Sequence, residues 1–188
     1  MNFVNRKDTI SSEPRIFNYG EYGSNIRPPS LNSIQNFEAI RDNCLKDSHL
    51  FEDKEFDAVA SSISSTKKHQ VFKWLRPFEI VKNPYFIKSE KSKFSAKHSI
   101  YDNPWLIAGF TCLLSNEKLF EFVVPKDNIC SGENYRGLNR FRFWQFGRWI
   151  EVVIDDRLPV KKDGKFLGIQ TLNQDEFWVQ LMEKAYAK

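Results

Sequence analysis

The chain has 188 residues, 28 Lys and Arg against 24 Asp and Glu, and a formal net charge of +4. That length fits one domain, or one domain with a tail, and its 17 Phe and 5 Trp can fill a real core. The mild, interspersed charge excludes the concentrated basic stripe of a nucleic-acid binder, and the longest apolar run, residues 105–114, is about half the ~20 residues of a membrane span. Three scattered cysteines, Cys44, Cys112 and Cys130, give neither a disulfide framework nor a metal spacing. With no apolar run of signal-peptide length near the start, a soluble protein of the reducing cytoplasm is expected.

Residues 1–31 are polar and turn-rich, with Pro14, Gly20, Gly23, Pro28 and Pro29, which predicts a flexible tail before a domain over 32–188. From Ser33 a helical period begins, with Phe37, Ile40, Cys44 and Leu45 on one stripe. Helix signals end by Phe56, and the serine-rich residues 59–70 read as a loop. Alternating aromatics and prolines at 72–77 and 84–86 predict an extended segment pinned to a surface. A charged loop follows over 88–97. Its Lys88, Lys91, Lys93 and Lys97 raise a weaker reading, polyanion binding, whose mark is strong salt dependence.

Residues 100–114 predict a helix around which the rest is organised. Asp102 or Asn103 caps it, and Pro104 takes the first helical position, where a missing N–H costs nothing. Apolar side chains on almost every face predict burial all round, with Cys112 an inert core thiol. Such a capped N-terminus favours a reactive thiolate, yet the residue there is proline.

Asn116 then caps a short helix carrying Leu119, Phe120 and Val123, which Pro125 ends. Phe141 and Phe143 alternate with Arg140 and Arg142, residues 145–148 turn, and residues 149–154 return as an antiparallel hairpin. Asp155 and Asp156 sit on opposite sides of extended chain beside Arg157, so they read as an ion-pair corner rather than an acid/base pair. Residues 162–165 form a tight turn. Asn173 caps a last helix, with Glu176 completing a capping box. Phe177, Trp178, Leu181, Met182 and Ala185 form its buried stripe, and Lys184 and Lys188 suit its C-terminal dipole.

Several stretches carry a family resemblance: Glu133-Asn134-Tyr135, residues 143–159 (FWQFGRWIEVVIDDRLP), Glu176-Phe177-Trp178 and residues 183–188 (EKAYAK). Together they closely resemble the calpains, calcium-dependent papain-like cysteine proteases. Residues 37–56 and Trp74-Leu75-Arg76-Pro77 match earlier segments in the same order. The resemblance implies an α+β fold, the first lobe of a papain-like protease core, with a central helix and a small antiparallel sheet. The second lobe, with the family's histidine and asparagine, is expected to be absent from this chain.

Aligned on Trp105, the family's nucleophile falls on Pro104, its oxyanion-hole glutamine on His98, the glycine on Asp102 and the aspartate on Asn103. Proline has no heteroatom to attack a carbonyl and no N–H to offer an oxyanion. His98 stands either as a substitute donor or as an exposed loop residue. The resemblance also implies a calcium cage. Glu176 matches its glutamate, but its aspartate falls on Ser95 and its nearby glycine on Glu90, so weak or absent calcium binding is expected. No other cofactor is implied.

The expectation is therefore a non-proteolytic lobe that binds protein: a cognate protease, a protease substrate or inhibitor, or a cytoskeletal protein. No nucleic acid or membrane span is expected. The alternative is a piece of a calcium-dependent cysteine endopeptidase. In a lone first lobe, the apolar helix bearing Trp105 would expose surface that seeks a partner.

Overall fold

The computed structural model describes residues 14–18, 35–59, 62, 73–90, 92, 96–97, 104–161, 164 and 166–188. In chain order these form β1 (Ile16–Asn18), α1 (Phe37–Lys46), β2 (Lys73–Leu75), α2 (Pro77–Ile80), β3 (Ala96–Lys97), α3 (Pro104–Leu114) and α4 (Glu117–Val123). Then come β4 (Leu138–Gln145), β5 (Arg148–Asp155), β6 (Leu158–Val160), β7 (Gln170–Thr171) and α5 (Trp178–Ala187). The class is α+β, as the sequence implies.

The hairpin β4–β5 is the centre. Its register closes with Gln145 opposite Arg148, and the two turn residues, Phe146 and Gly147, have φ of 49° and 79°. Positive φ at both positions matches the right-handed twist of the flanking strands. Alternation then sends the hairpin's two faces to different layers. Phe141, Ile150, Val152 and Ile154 join the main core with Phe177, Trp178 and Leu181. Leu138 and Val153 lie against Phe37 of α1 in a second cluster. Trp178 anchors the main core, its ring 5.5 Å from Phe120 and 6.1 Å from Phe110.

β4 is an edge strand of the sheet β1-β5-β4. At its middle, Arg140 N–H donates to Asn128 Oδ1 at 2.8 Å, and Asn128 Nδ2 donates back to Arg140 O at 2.7 Å. The buried Asn128 amide thus imitates a neighbouring strand and blocks the edge.

Other elements follow local rules. Asn36 accepts from Ala39 N–H at 2.9 Å, so α1 starts after Asn36 rather than at Ser33. Asn116 caps α4 through Leu119 N–H at 3.0 Å, as read from the sequence. The extended segment after residue 72 is β2, antiparallel to β6, and Pro77 then opens the unforeseen short helix α2.

Four expectations need correction. Within the stretch read as a tail, Ile16–Asn18 pair in parallel with Trp149–Glu151, because β5 offers an unpaired edge there. Within the charged loop, Ala96–Lys97 pair with Gln170–Thr171. The last helix is not capped by Asn173: it begins at Trp178, and its leading N–H groups find other acceptors. Phe177 N–H donates to Tyr85 O at 3.0 Å and Trp178 N–H to Phe86 O at 3.1 Å. Lastly, α3 buries only Leu106 and Phe110, while Pro104, Trp105, Ala108, Gly109, Thr111 and Cys112 are exposed. Apolar composition was read as burial all round, but burial needs neighbours on every side. Among the described residues, α3 has them on one side only.

The serine-rich loop lies almost wholly outside the described residues, as do residues 162, 163 and 165 of the tight turn. Among the described residues no helix is long and apolar enough to cross a membrane.

Candidate functional site

The candidate site is the start of α3. Pro104 stands exposed at the first helical position. Trp105, 56% exposed, meets the Tyr186 ring edge-on at 5.2 Å. Tyr186 in turn lies 5.8 Å from the Phe143 ring, so α3, α5 and the hairpin together hold the indole in place. The atom this scaffold presents at position 104 is a ring carbon, which can neither attack a carbonyl nor donate to an oxyanion. His98, Asp102 and Asn103 lie outside the described residues.

No described thiol takes over. Cys112 is exposed rather than in the core, which corrects the sequence reading. It follows Pro104 by about 12 Å along the axis at ~1.5 Å per residue. The structure does bring one cysteine and one histidine together: Cys44 Sγ lies 3.5 Å from His49 Nε2. Burial raises the Cys44 thiol, and the weaker pull of Arg136 does not reverse that. Cys130 is buried, and burial together with the Asp156 charge pushes its thiol well up. Both environments favour the unreactive protonated form.

The residues at Glu176 do not fit a calcium ion. Its carboxylate is fully buried, and three protein donors reach it. Lys88 N–H at 3.2 Å and Ser92 Oγ–H at 2.7 Å donate to Oε1. Asn173 Nδ2 donates to Oε2 at 3.3 Å. A calcium ion needs several converging oxygen lone pairs, whereas hydrogens converge here. The Lys88 ammonium adds a positive charge, paired with Asp175 at 2.6 Å. Ser95 lies outside the described residues, and among those described no three His, Cys, Asp or Glu side chains cluster as a metal group.

Asp155 and Asp156 face separate partners, as expected of an ion-pair corner. Asp156 receives Arg76 Nη1 at 2.6 Å and the Tyr135 hydroxyl. Burial raises Asp156 despite those donors, and burial with the Asp156 charge pushes the Tyr135 hydroxyl up, so it stays a donor. For Asp155, burial pushes the carboxyl up, but the Lys184 charge and the bonds from Arg157 and Lys184 outweigh it. The carboxyl therefore sits below its ordinary value.

Sequence reasoning missed what Lys184 of α5 and Lys188, the residue after that helix, do. Lys184 Nζ reaches Asp155 Oδ1 at 2.5 Å, Arg157 O at 2.8 Å and Asp155 O at 2.9 Å. Those three acceptors match its three N–H donors. Lys188 Nζ meets Asp53 Oδ2 at 2.7 Å, Val153 O at 2.9 Å and the Gln35 side-chain amide oxygen Oε1. Neither lysine serves the helix dipole in solvent; both are enclosed charges locking α5 to β5. The polyanion reading also loses Lys88 to Asp175, while Lys91 and Lys93 lie outside the described residues.

Comparison with known proteins agrees with this architecture. The family described as "Calpain family cysteine protease" matches residues 51–188. Calpain-A of Drosophila melanogaster is 39% identical over 185 residues, covering 96% of this chain and 22% of that protein. The calpain-2 catalytic subunit of Bos taurus is 41% identical over 160 residues, 82% of this chain and 23% of its own length. Calpain-9 of Homo sapiens is 41% identical over 157 residues, 83% of this chain and 22% of its own length. This chain therefore spans under a quarter of each relative, and its segments, hairpin and α3 belong to the calpain family of cysteine proteases.

Proposed function

We propose that this chain is a calpain-type lobe without peptidase activity of its own, and that it acts in the cytoplasm by binding protein. The observation that carries the reading is Pro104. The exposed start of α3 holds the family's adjoining tryptophan, Trp105, and no nucleophile before it. Binding is supported by the open side of α3, where Trp105, Ala108 and Cys112 face outward from an otherwise apolar helix. A protease, a protease substrate or a cytoskeletal protein are the partner classes this family membership favours. The cytoplasm fits three free cysteines, two of them buried.

The test is a peptidase assay on the purified chain with casein and a fluorogenic peptide, with and without calcium, alongside a thiol-directed active-site probe. No turnover and no mechanism-based labelling are expected. Calcium-dependent turnover would restore the competing reading, a working part of a cysteine endopeptidase, and overturn this one.

A further inference from the structure

We infer that a strap formed by residues 85–88, together with Ser92, is fastened to the start of α5 by direct hydrogen bonds centred on the Glu176 carboxylate, so this corner holds its shape without calcium. The strap crosses residues 173–178 and exchanges bonds with them along its length. Tyr85 N–H donates to Asp175 O at 2.8 Å, and the N–H groups of Phe177 and Trp178 donate back to Tyr85 O and Phe86 O. Tyr85 and Glu176 pair as a parallel bridge. Beyond them, Lys88 N–H and the Ser92 hydroxyl close on Glu176 Oε1, and the Lys88 ammonium closes on Asp175.

Each contact removes something a divalent ion would use. The lone pairs of Glu176 face N–H and O–H hydrogens, and the second carboxylate of the corner, Asp175, is already paired with a cation. The Lys88 ammonium also lies 5.5 Å from the Tyr85 ring, over the strap itself, where it would repel an incoming ion. Ser92 is the pivotal residue. Its hydroxyl is within reach of both the carboxylate, at 2.7 Å, and Ser89 O, at 2.8 Å, and it is 7% exposed. A buried carboxylate that loses such a donor is left short of a bond.

Amide hydrogen exchange tests this in the intact chain, read at Tyr85, Lys88, Phe177 and Trp178, in chelator and in excess calcium. Exchange at these amides should be equal in the two conditions, and the melting temperature should not move. Ser92→Ala should speed exchange at these four amides about tenfold in both conditions, leaving the β4–β5 amides unchanged. The inference is overturned if calcium slows those amides or raises the melting temperature saturably in the wild-type chain. It is equally overturned if Ser92→Ala leaves the four amides as they were. The wild-type comparison needs no variant, so a Ser92→Ala chain that does not fold removes only one arm. Neither arm involves Pro104, so failure here is separable from failure of the proposed function.

Discussion

Replacing Lys184 with methionine is the sharpest test of how this fold is held together. The Lys184 side chain is 4% exposed and Asp155 is 0% exposed, with 2.5 Å between Nζ and Oδ1. Methionine keeps the length and apolar stem of lysine and removes the charge and all three donors. Asp155 then stays buried without its main countercharge, and the carbonyls of Asp155 and Arg157 lose their donor. Breaking a buried ion pair by removing one partner costs about 3–5 kcal/mol. The lower end applies, because Asp155 keeps Arg157 Nη2 at 2.7 Å and Asp53 N–H at 2.8 Å. A loss of about 3 kcal/mol is a large part of the roughly 5–15 kcal/mol of a typical domain. At about 2–4 °C per kcal/mol it lowers the melting temperature by about 6–12 °C. Urea unfolding followed by tryptophan fluorescence measures it, with exposed Lys118→Met as control, expected within about 0.5 kcal/mol of wild type. Asp155→Asn with Lys184→Met should cost less than the two single changes added together. A loss under about 1 kcal/mol, the worth of an exposed pair, would refute the reasoning, as would strict additivity in the double variant.

Three further outcomes follow from the same geometry. Native alkylation should modify Cys112 fast and spare Cys44 and Cys130, since the first is exposed and the others are buried; mass spectrometry showing Cys44 labelled first would contradict this. Asn128→Ala should cost about 1–3 kcal/mol by leaving Arg140 N–H and C=O without their partner. It should also promote concentration-dependent association through the opened β4 edge, read by sedimentation. The third concerns acid. Asp155 has its folded value held below the ordinary 3.8, so its contribution is present above 3.8 and lost as pH falls through the folded value. Asp155→Asn should flatten that acid limb in urea midpoints taken across pH. Asp156 runs the other way, because its folded value is raised: its contribution is present at low pH and lost as pH rises through that value.

Where local chemistry decides structure, the sequence was legible. The hairpin was read from alternation on either side of a turn at residues 145–148, and α4 from an asparagine followed by apolar residues and a proline. What stayed hidden was set by neighbours distant in sequence. β1 exists because β5 has a free side, which nothing in residues 16–18 announces. The start of α5 is satisfied by carbonyls of residues 85 and 86, so a plausible local capping box lost to a strap lying some ninety positions earlier in the chain. The exposure of α3 was misread for the reverse reason: an apolar surface states what it prefers, not what stands beside it.

The buried lysines show that part of the hidden set was readable from position rather than chemistry. On a helix of ~3.6 residues per turn, positions four and three apart stack on one face. Phe177, Leu181, Lys184 and Lys188 fall on such a row, and Phe177 and Leu181 are fully buried. A lysine on that row must either break the helix's packing or bring its ammonium to buried acceptors, since an unpaired charge in the interior is prohibitive. The chain supplies two fully buried acids for the two lysines, Asp155 and Asp53. Asp155 comes from the end of β5, and Asp53 from the segment after α1, whose backbone N–H also donates to Asp155 at 2.8 Å. One continuous polar seam therefore ties α5 to both the hairpin and the early segment. Treating Lys184 and Lys188 as dipole partners assigned them by charge alone. Their place on the apolar row required carboxylates to meet them, and the carboxylates that do so are Asp155 for Lys184 and Asp53 for Lys188.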